Sequence, residues 1–220
     1  MIDEKRVAVI VPIREGSQRI KNKNMNVFCQ KPLAKWFLDK LRTLDYIDDI
    51  FVSTASREYT EIVRRWGYDV IPRPEELATD SATIPAVIQD VADTLNKDYG
   101  YKHNDYIIRT EITKPLTRPE QFYQVMEYAS NNNMDSVFVN RKLKIFLEED
   151  EAVNSQELPE RFQRWGSIRL RTIKTAINMD IKTWGEGYRH KNLNIVNPYE
   201  IDINDYHDFI QAEALVEAGF

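Results

Sequence analysis

Val7 to Pro12 reads VAVIVP, six apolar residues without a polar interruption. A strand with one wet face alternates, whereas a run that is apolar at every position must be covered on both sides. The segment therefore predicts a sheet lying between layers of helix, and a largely parallel one, because crossover helices are what cover both faces. The rest of the chain agrees. Pro32 opens LAKWFLDKLRTL, with Leu33, Trp36, Phe37, Leu41 and Leu44 at helical spacing, and proline suits the first turn of a helix. A second strand is predicted over 50–54 and a helix over 58–66, with Gly67 placed to cap it. A short strand over 68–71 follows, then a helix over 83–95 with Ser81 or Thr83 as N-cap. Residues 106–110 read as another buried strand, 119–131 as a helix and 135–140 as a strand. This alternation predicts an α/β fold, a mainly parallel sheet with helices on both faces.

After Asn140 the rhythm changes. Residues 141–192 are charged, with short strands expected over 167–170 and 173–178. We read this stretch as a β-rich arm or flap inserted into a single domain spanning 1–220. Segments 193–196 and 199–203 are expected to return to the core, and a last helix runs from about Asp205 to Ala218, ending at Gly219.

Charge narrows the function. Thirty Lys and Arg stand against 35 Asp and Glu, a net −5 over 220 residues. That disfavours a protein that coats nucleic acid, which needs a broad basic face. One cysteine, Cys29, and three histidines leave no material for an intramolecular disulfide, a multi-cysteine zinc site or a His-rich metal cluster. The N-terminal apolar stretch is too short for a signal peptide or a membrane span, so the expectation is a cytoplasmic protein with no membrane partner.

Within the acidic average lies one basic loop. Between residues 14 and 24, Arg14, Arg19, Lys21 and Lys23 face only Glu15, a local surplus of three positive charges. The loop follows the first strand, at the edge where open α/β sheets bind ligands. Gly16 and Ser17 offer backbone N–H groups, and a nest of N–H groups and cations suits a polyphosphate. Neither a Walker loop nor a GxGxxG fingerprint is present, which counts against a nicotinamide-dependent oxidoreductase.

The segment VPIREGSQRIKNKN resembles the N-terminal signature of the CMP-sugar synthetases, the acylneuraminate cytidylyltransferases. Pro12, Arg14, Gly16, Ser17, Arg19, Ile20, Lys23 and Asn24 fall on its pattern. Further resemblances follow in order: Lys31-Pro32-Leu33, Val52-Ser53-Thr54, the stretch from Arg73 through Asp80 to Ala82, Thr113-Lys114-Pro115-Leu116, and Ile201-Asp202-Ile203-Asn204 with Asp208-Phe209. The resemblance implies a Rossmann-like nucleotidyltransferase fold. It also implies transfer of CMP from CTP to a hydroxyl of an acidic, nonulosonic acid-like sugar, with release of pyrophosphate.

It further implies a set of site residues. Arg14 and Lys23 would cradle the triphosphate, Pro12, Ile13, Gly16 and Ser17 would line it, and Asn24 would bond the nucleotide. Arg73, Asp80 and Ala82 would meet the base and ribose. Arg14, Lys23 and Asp202 would carry catalysis. Asp202 is the Mg²⁺ candidate. Asn204 stands where the family has a second aspartate, and Asp205 is either its substitute or a helix cap. On the acceptor side are Glu111, Thr113 and Lys114. Glu111 replaces the glutamine usual in sialic-type relatives and would repel an acid unless it binds a hydroxyl, an amine or a cation; Lys114 and Arg118 would bind the acceptor's carboxylate, or Glu111 and Lys114 form a local ion pair. A 3-deoxy-octulosonate-like sugar, a phosphonate acceptor and a non-catalytic CTP-binding homologue remain alternatives. By position, 141–192 corresponds to a dimerisation arm in the family. Arg161, Arg164, Trp165, Arg169, Arg171 and Trp184 would furnish interface anchors, which implies a homodimer.

Overall fold

The VAVIVP run is buried on both faces, as its composition demands. In the computed structural model it forms β1 (Val7–Pro12), and its side chains go alternately to two cores. Val7, Val9 and Val11 join one with Phe37 and Leu38 and with Phe122 and Val125. Ala8 and Ile10 join the other with Ile88, Val91 and Leu95. Each fully buried aliphatic side chain contributes roughly 1.5–3 kcal/mol, so the alternation commits the strand to the middle of the sheet.

The structure describes residues 2–17, 19–79, 82–143, 161–163, 167–178, 188–195 and 197–220. After β1 come a 3-10 turn (Lys23–Met25), the small pair β2 (Val27–Phe28) and β3 (Lys31–Pro32), and α1 (Leu33–Arg42). Then follow β4 (Asp49–Thr54), α2 (Arg57–Arg65), β5 (Asp69–Pro72), a 3-10 turn (Glu75–Leu77) and α3 (Ile84–Asp98). The second half holds β6 (Tyr106–Thr110), α4 (Pro119–Asn131), β7 (Ser136–Leu143), β8 (Arg161–Gln163), β9 (Ile168–Thr172), α5 (Ile173–Ile177), β10 (His190–Asn194) and α6 (Tyr206–Glu217). The main sheet runs β10-β7-β9-β6-β1-β4-β5, with β8 paired to β7. β1 pairs in parallel with both β4 and β6. β9 lies antiparallel to both its neighbours, β6 and β7. The predicted α/β fold with a mainly parallel sheet is what forms.

Two carboxylates fix where β1 begins. Asp48 Oδ2 accepts the Val7 N–H at 2.8 Å, and Asp105 Oδ1 accepts the Arg6 N–H at 3.0 Å. Gly67 ends α2 with φ +79°, as its sequence position predicts. Thr83 is the N-cap of α3, its hydroxyl accepting from the Ala86 N–H at 3.4 Å; the alternative, Ser81, lies outside the described residues.

The expected arm is corrected in part. Residues 168–172 form β9 in the middle of the main sheet, and 173–178, expected as a strand, hold the short helix α5. Thr172 turns the chain by accepting the Thr175 N–H at 3.2 Å. Ile173 and Ala176, three apart, then pack onto the α3 side of the sheet. Residues 141–143 belong to β7 and 190–192 to β10, while 199–203 is a loop. Residues 144–160, 164–166 and 179–187, with Arg164, Trp165 and Trp184, lie outside the described residues, as does Val196. Among the described residues, no helix is long and apolar enough to cross a membrane.

At the C-terminus Asp205 is the N-cap of α6. Its Oδ1 accepts the Asp208 N–H at 3.0 Å, and Asp208 Oδ2 takes the Asp205 N–H at 3.2 Å in return. Replacing such a cap costs about 1 kcal/mol. Asp205→Ala is expected to lower the unfolding free energy by that amount, read by circular dichroism as a lower urea midpoint with an unchanged denaturant slope.

Candidate active site

The chain leaves β1, builds outward through β4 and β5, then returns to the other side of β1 at β6. That reversal is a topological switch point, where open α/β sheets bind ligands beyond the C-terminal strand ends. A cleft of about 670 Å³ opens there. Of the residues singled out from sequence, Pro12, Arg14, Ser17, Lys23, Asn24, Arg73, Ala82, Glu111, Thr113 and Asn204 line it. Ile13, Gly16, Lys114 and Asp202 are not among its lining residues, and Asp80 lies outside the described residues.

The loop after β1 is held at several points. The Ile13 N–H donates to the Ser53 carbonyl at 2.9 Å, and Ile13 itself is buried. Ser56, which caps α2, donates its hydroxyl to Glu15. Gly16 sits at φ +78°, and a Cβ there would meet nothing within 4 Å. Its requirement is therefore backbone conformation and not space. Asn24 is buried, and its Nδ2 donates to the Arg14 carbonyl at 2.9 Å, so it braces the loop that carries Arg14. Lys23 Nζ reaches across the fold to the Ile203 carbonyl at 2.6 Å.

Cations converge on this cleft from three segments. Burial pushes the Lys23 ammonium below its usual pKa; Asp202 opposes this, and Arg19 and Arg14 push it down further. Burial likewise lowers Arg73, with Arg14 adding to the effect. Arg14 is thus within electrostatic reach of both, and a polyanion placed among them would relieve the repulsion. Arg73 is aimed by its own backbone frame: its N–H donates to the Thr54 carbonyl and its Nη2 to the Ser53 carbonyl, each at 2.9 Å. Ala82, just before the N-cap, and Ile84 and Val87 at the start of α3 complete this wall, and a helix N-terminus adds partial positive charge.

The β6 side has a different character. Glu111 is paired with the Arg109 guanidinium and with Lys114 Nζ at 3.1 Å. Its charge, which from sequence alone would repel an acid, is therefore compensated inside the protein. Burial, with the Arg169 and Arg171 charges, pushes Arg109 down to about 9. Lys114 is pushed down to about 8 by burial, against the pull of Asp202 and Glu200. Lys114 is 2% exposed and touches Glu111, which lines the cleft.

The C-terminal segment closes the site. Its Ile203 N–H donates to the Thr113 carbonyl at 2.7 Å. Asn204 Nδ2 donates to the Asp202 carbonyl at 2.9 Å, which leaves Oδ1 as the side-chain oxygen able to act in the cleft. Asp205 caps α6 through its Oδ1. Among the described residues no group of three or more His, Cys, Asp or Glu could hold a metal. Magnesium does not need one, since it is commonly held by one or two carboxylates together with substrate phosphates. Asp202 and Asn204 fit that donor set.

Sequence reasoning passed over Leu77, Ala78, Thr79, Ile84 and Val87 as lining residues, and over Arg109. Leu77, Ala78 and Thr79 lie within the stretch that resembles the family pattern, and Arg109 is the one charge in YIIRT, a strand otherwise read as buried.

Lys114 yields a pH test. It releases its proton near pH 8 in the folded chain, against a usual value of 10.5. Between those values the unfolded chain binds more protons, so this group's contribution to stability rises with pH. The stability difference between wild type and Lys114→Met is expected to shift in favour of wild type from pH 8 to 10.5, read by urea unfolding at each pH.

Similarity to known proteins agrees with this geometry. A family model described as cytidylyltransferase matches residues 8–166. An N-acylneuraminate cytidylyltransferase of Streptococcus agalactiae serotype III (strain NEM316) is 33% identical over 130 residues, 58% of this chain and 30% of its own. The chain thus spans under a third of that relative's length. A pseudaminic acid cytidylyltransferase of Campylobacter jejuni subsp. jejuni serotype O:2 is 24% identical over 188 residues, covering 78% of this chain and 80% of its own. Among solved structures, a CMP:2-keto-3-deoxy-manno-octonic acid synthetase complexed with CTP superposes with TM-score 0.77 at 10% identity, over 98% of this chain and 100% of that one. A 4-diphosphocytidyl-2C-methyl-D-erythritol synthase gives 0.70 at 11% identity, over 97% and 99%. These two share the nucleotidyltransferase fold.

Proposed function

The chain belongs to the cytidylyltransferase family, and on that footing we propose that it transfers CMP from CTP to a hydroxyl of an acidic, nonulosonic acid-like sugar. The observation that carries the reading is the meeting of Arg14 and Lys23, from the loop after β1, with Arg73, which follows β5, in one cleft at the switch point. The named activities of the relatives support it. The acceptor hydroxyl attacks the α-phosphorus in line. The bond from that phosphorus to the oxygen bridging to the β-phosphate breaks, giving the CMP-sugar, pyrophosphate and a proton. Catalysis of this kind is positioning and charge stabilisation, with no covalent enzyme intermediate. Arg14 and Lys23 hold the triphosphate and stabilise the departing pyrophosphate. Ser17 and the Gly16 backbone offer further donors, and Arg73 with Ala82 meets the base side.

Asp202 and Asn204 would hold Mg²⁺, which when bound neutralises charge on the phosphates. Because the reaction draws on CTP, we place the protein in the cytoplasm. We further propose a homodimer, on the strength of the Arg and Trp content of residues 141–192.

The test is pyrophosphate release from CTP with N-acylneuraminate, pseudaminic acid and 2-keto-3-deoxy-manno-octonic acid. At least one is expected to be turned over, and Arg14→Ala and Asp202→Ala are each expected to lower the rate about 10²-fold or more. CTP affinity is expected to fall as pH rises through the lowered pKa of Lys23, because the ammonium is the form that binds phosphate; calorimetry across alkaline pH reads this. Sedimentation at micromolar concentration is expected to give twice the 25.9 kDa chain mass.

A further inference from the structure

Arg109 is an anomaly in its setting. It lies in the middle of the sheet on a strand whose five residues are all buried, is 6% exposed, and lines the cleft. Across the antiparallel pairing it stands opposite Arg169. Arg171, two residues on, shares that face, its guanidinium 4.9 Å from the Phe138 ring centroid. Arg109 Nη2 is paired with Glu111 Oε1, but its Nε is buried and has no hydrogen-bond partner among the described residues. A buried, unpartnered donor normally costs free energy, so its presence in a binding cleft points to a ligand.

The geometry of the guanidinium says which kind. One edge of an arginine presents two N–H groups in parallel, matched to the two oxygens of a carboxylate. Here that edge is half used: Glu111 holds Nη2 while Nε stays empty. An incoming acid can take both positions only by replacing Glu111 on the guanidinium. Glu111 is able to yield. Its side chain is 28% exposed, against 7% for Arg109 and 3% for Lys114. On leaving Arg109 it keeps Lys114 Nζ, now 3.1 Å away, and so does not become an uncompensated charge.

We infer that Arg109 is the acid subsite for the acceptor, and that Glu111 is the internal counter-ion which the acceptor's carboxylate replaces. The subsite lies on the β6–β9 side of the cleft, apart from the loop that takes the triphosphate. It rests on the proposed cytidylyltransferase activity and deepens it, since it states what the acceptor must carry and which residue reads it. Glu111 then acts as a selector. A neutral acceptor has nothing to offer Arg109 in exchange and leaves the ion pair closed.

The experiment compares each of the three acids named above with its carboxamide, in wild type, Arg109→Lys, Arg109→Met and Glu111→Gln. Wild type is expected to prefer the acid in kcat/KM by about ten- to a hundredfold, the range of a charge-assisted bond. Arg109→Met is expected to bring that ratio close to one through the acceptor KM, with the KM for CTP unchanged. Arg109→Lys keeps the charge but loses the paired edge, and is expected to fall between. Glu111→Gln is expected to lower the acceptor KM, because the counter-ion no longer competes. Discrimination that survives in both Arg109 variants would overturn the inference, as would a raised acceptor KM in Glu111→Gln, which would make Glu111 itself the ligand. Absence of turnover of all three acids by wild type would instead overturn the activity on which the inference rests.

Discussion

One backbone carbonyl joins the two halves of the nucleotide side. The Ser53 oxygen, near the end of β4, accepts both the Ile13 N–H and the Arg73 Nη2, each at 2.9 Å. The first bond starts the basic loop as it leaves β1, and the second aims the arginine that follows β5. Because β4 pairs with β1 and β5 on either side, the sheet register fixes that carbonyl, and the carbonyl fixes the spacing between Arg14 and Arg73. The loop is not glycine-rich and does not need to be. In the proposed reading three long cations take the place that a nest of backbone N–H groups has elsewhere, and Gly16 and Asn22 supply left-handed turns within the loop.

Electrostatics divides the cleft. On the loop side Arg14, Arg19 and Lys23 act on one another with Asp202 as the nearby acid, an arrangement that gains from a highly charged ligand. On the β6 side the cations are more deeply buried and their charge is partly answered by Glu111. A single residue thus changes the reading of the acceptor half. In isolation Glu111 argues against an acidic acceptor, but between Arg109 and Lys114 it no longer does.

The sheet was legible in the sequence wherever burial was written in apolar residues, as in VAVIVP and YIIRT. At β9 a short strand was legible over 167–170, but its place at the centre of the main sheet was not, because IRLRT carries two arginines. One of these, Arg171, is 5% exposed, and no rule of hydrophobic periodicity anticipates a charged strand at a sheet centre. The helix α5 was missed although IKTAI puts its apolar residues at 173, 176 and 177, because five residues are too short a window for the period to separate helix from strand. In the site, residues adjacent in sequence to the basic loop were found readily. The bond from Lys23 to Ile203, and the role of Asn24 as a brace, depend on contacts that no local spacing encodes. Asp205 was readable both as a ligand and as a cap; its reciprocal bonds with Asp208 show the cap.

The account stands on CTP lying in the switch-point cleft with its triphosphate on the loop after β1. A crystal structure of the protein with CTP tests this directly. The account predicts phosphate oxygens within hydrogen-bonding distance of Arg14 and Lys23, and the cytosine toward Arg73 and Ala82. A nucleotide bound elsewhere, or one whose phosphates avoid Arg14 and Lys23, would contradict it.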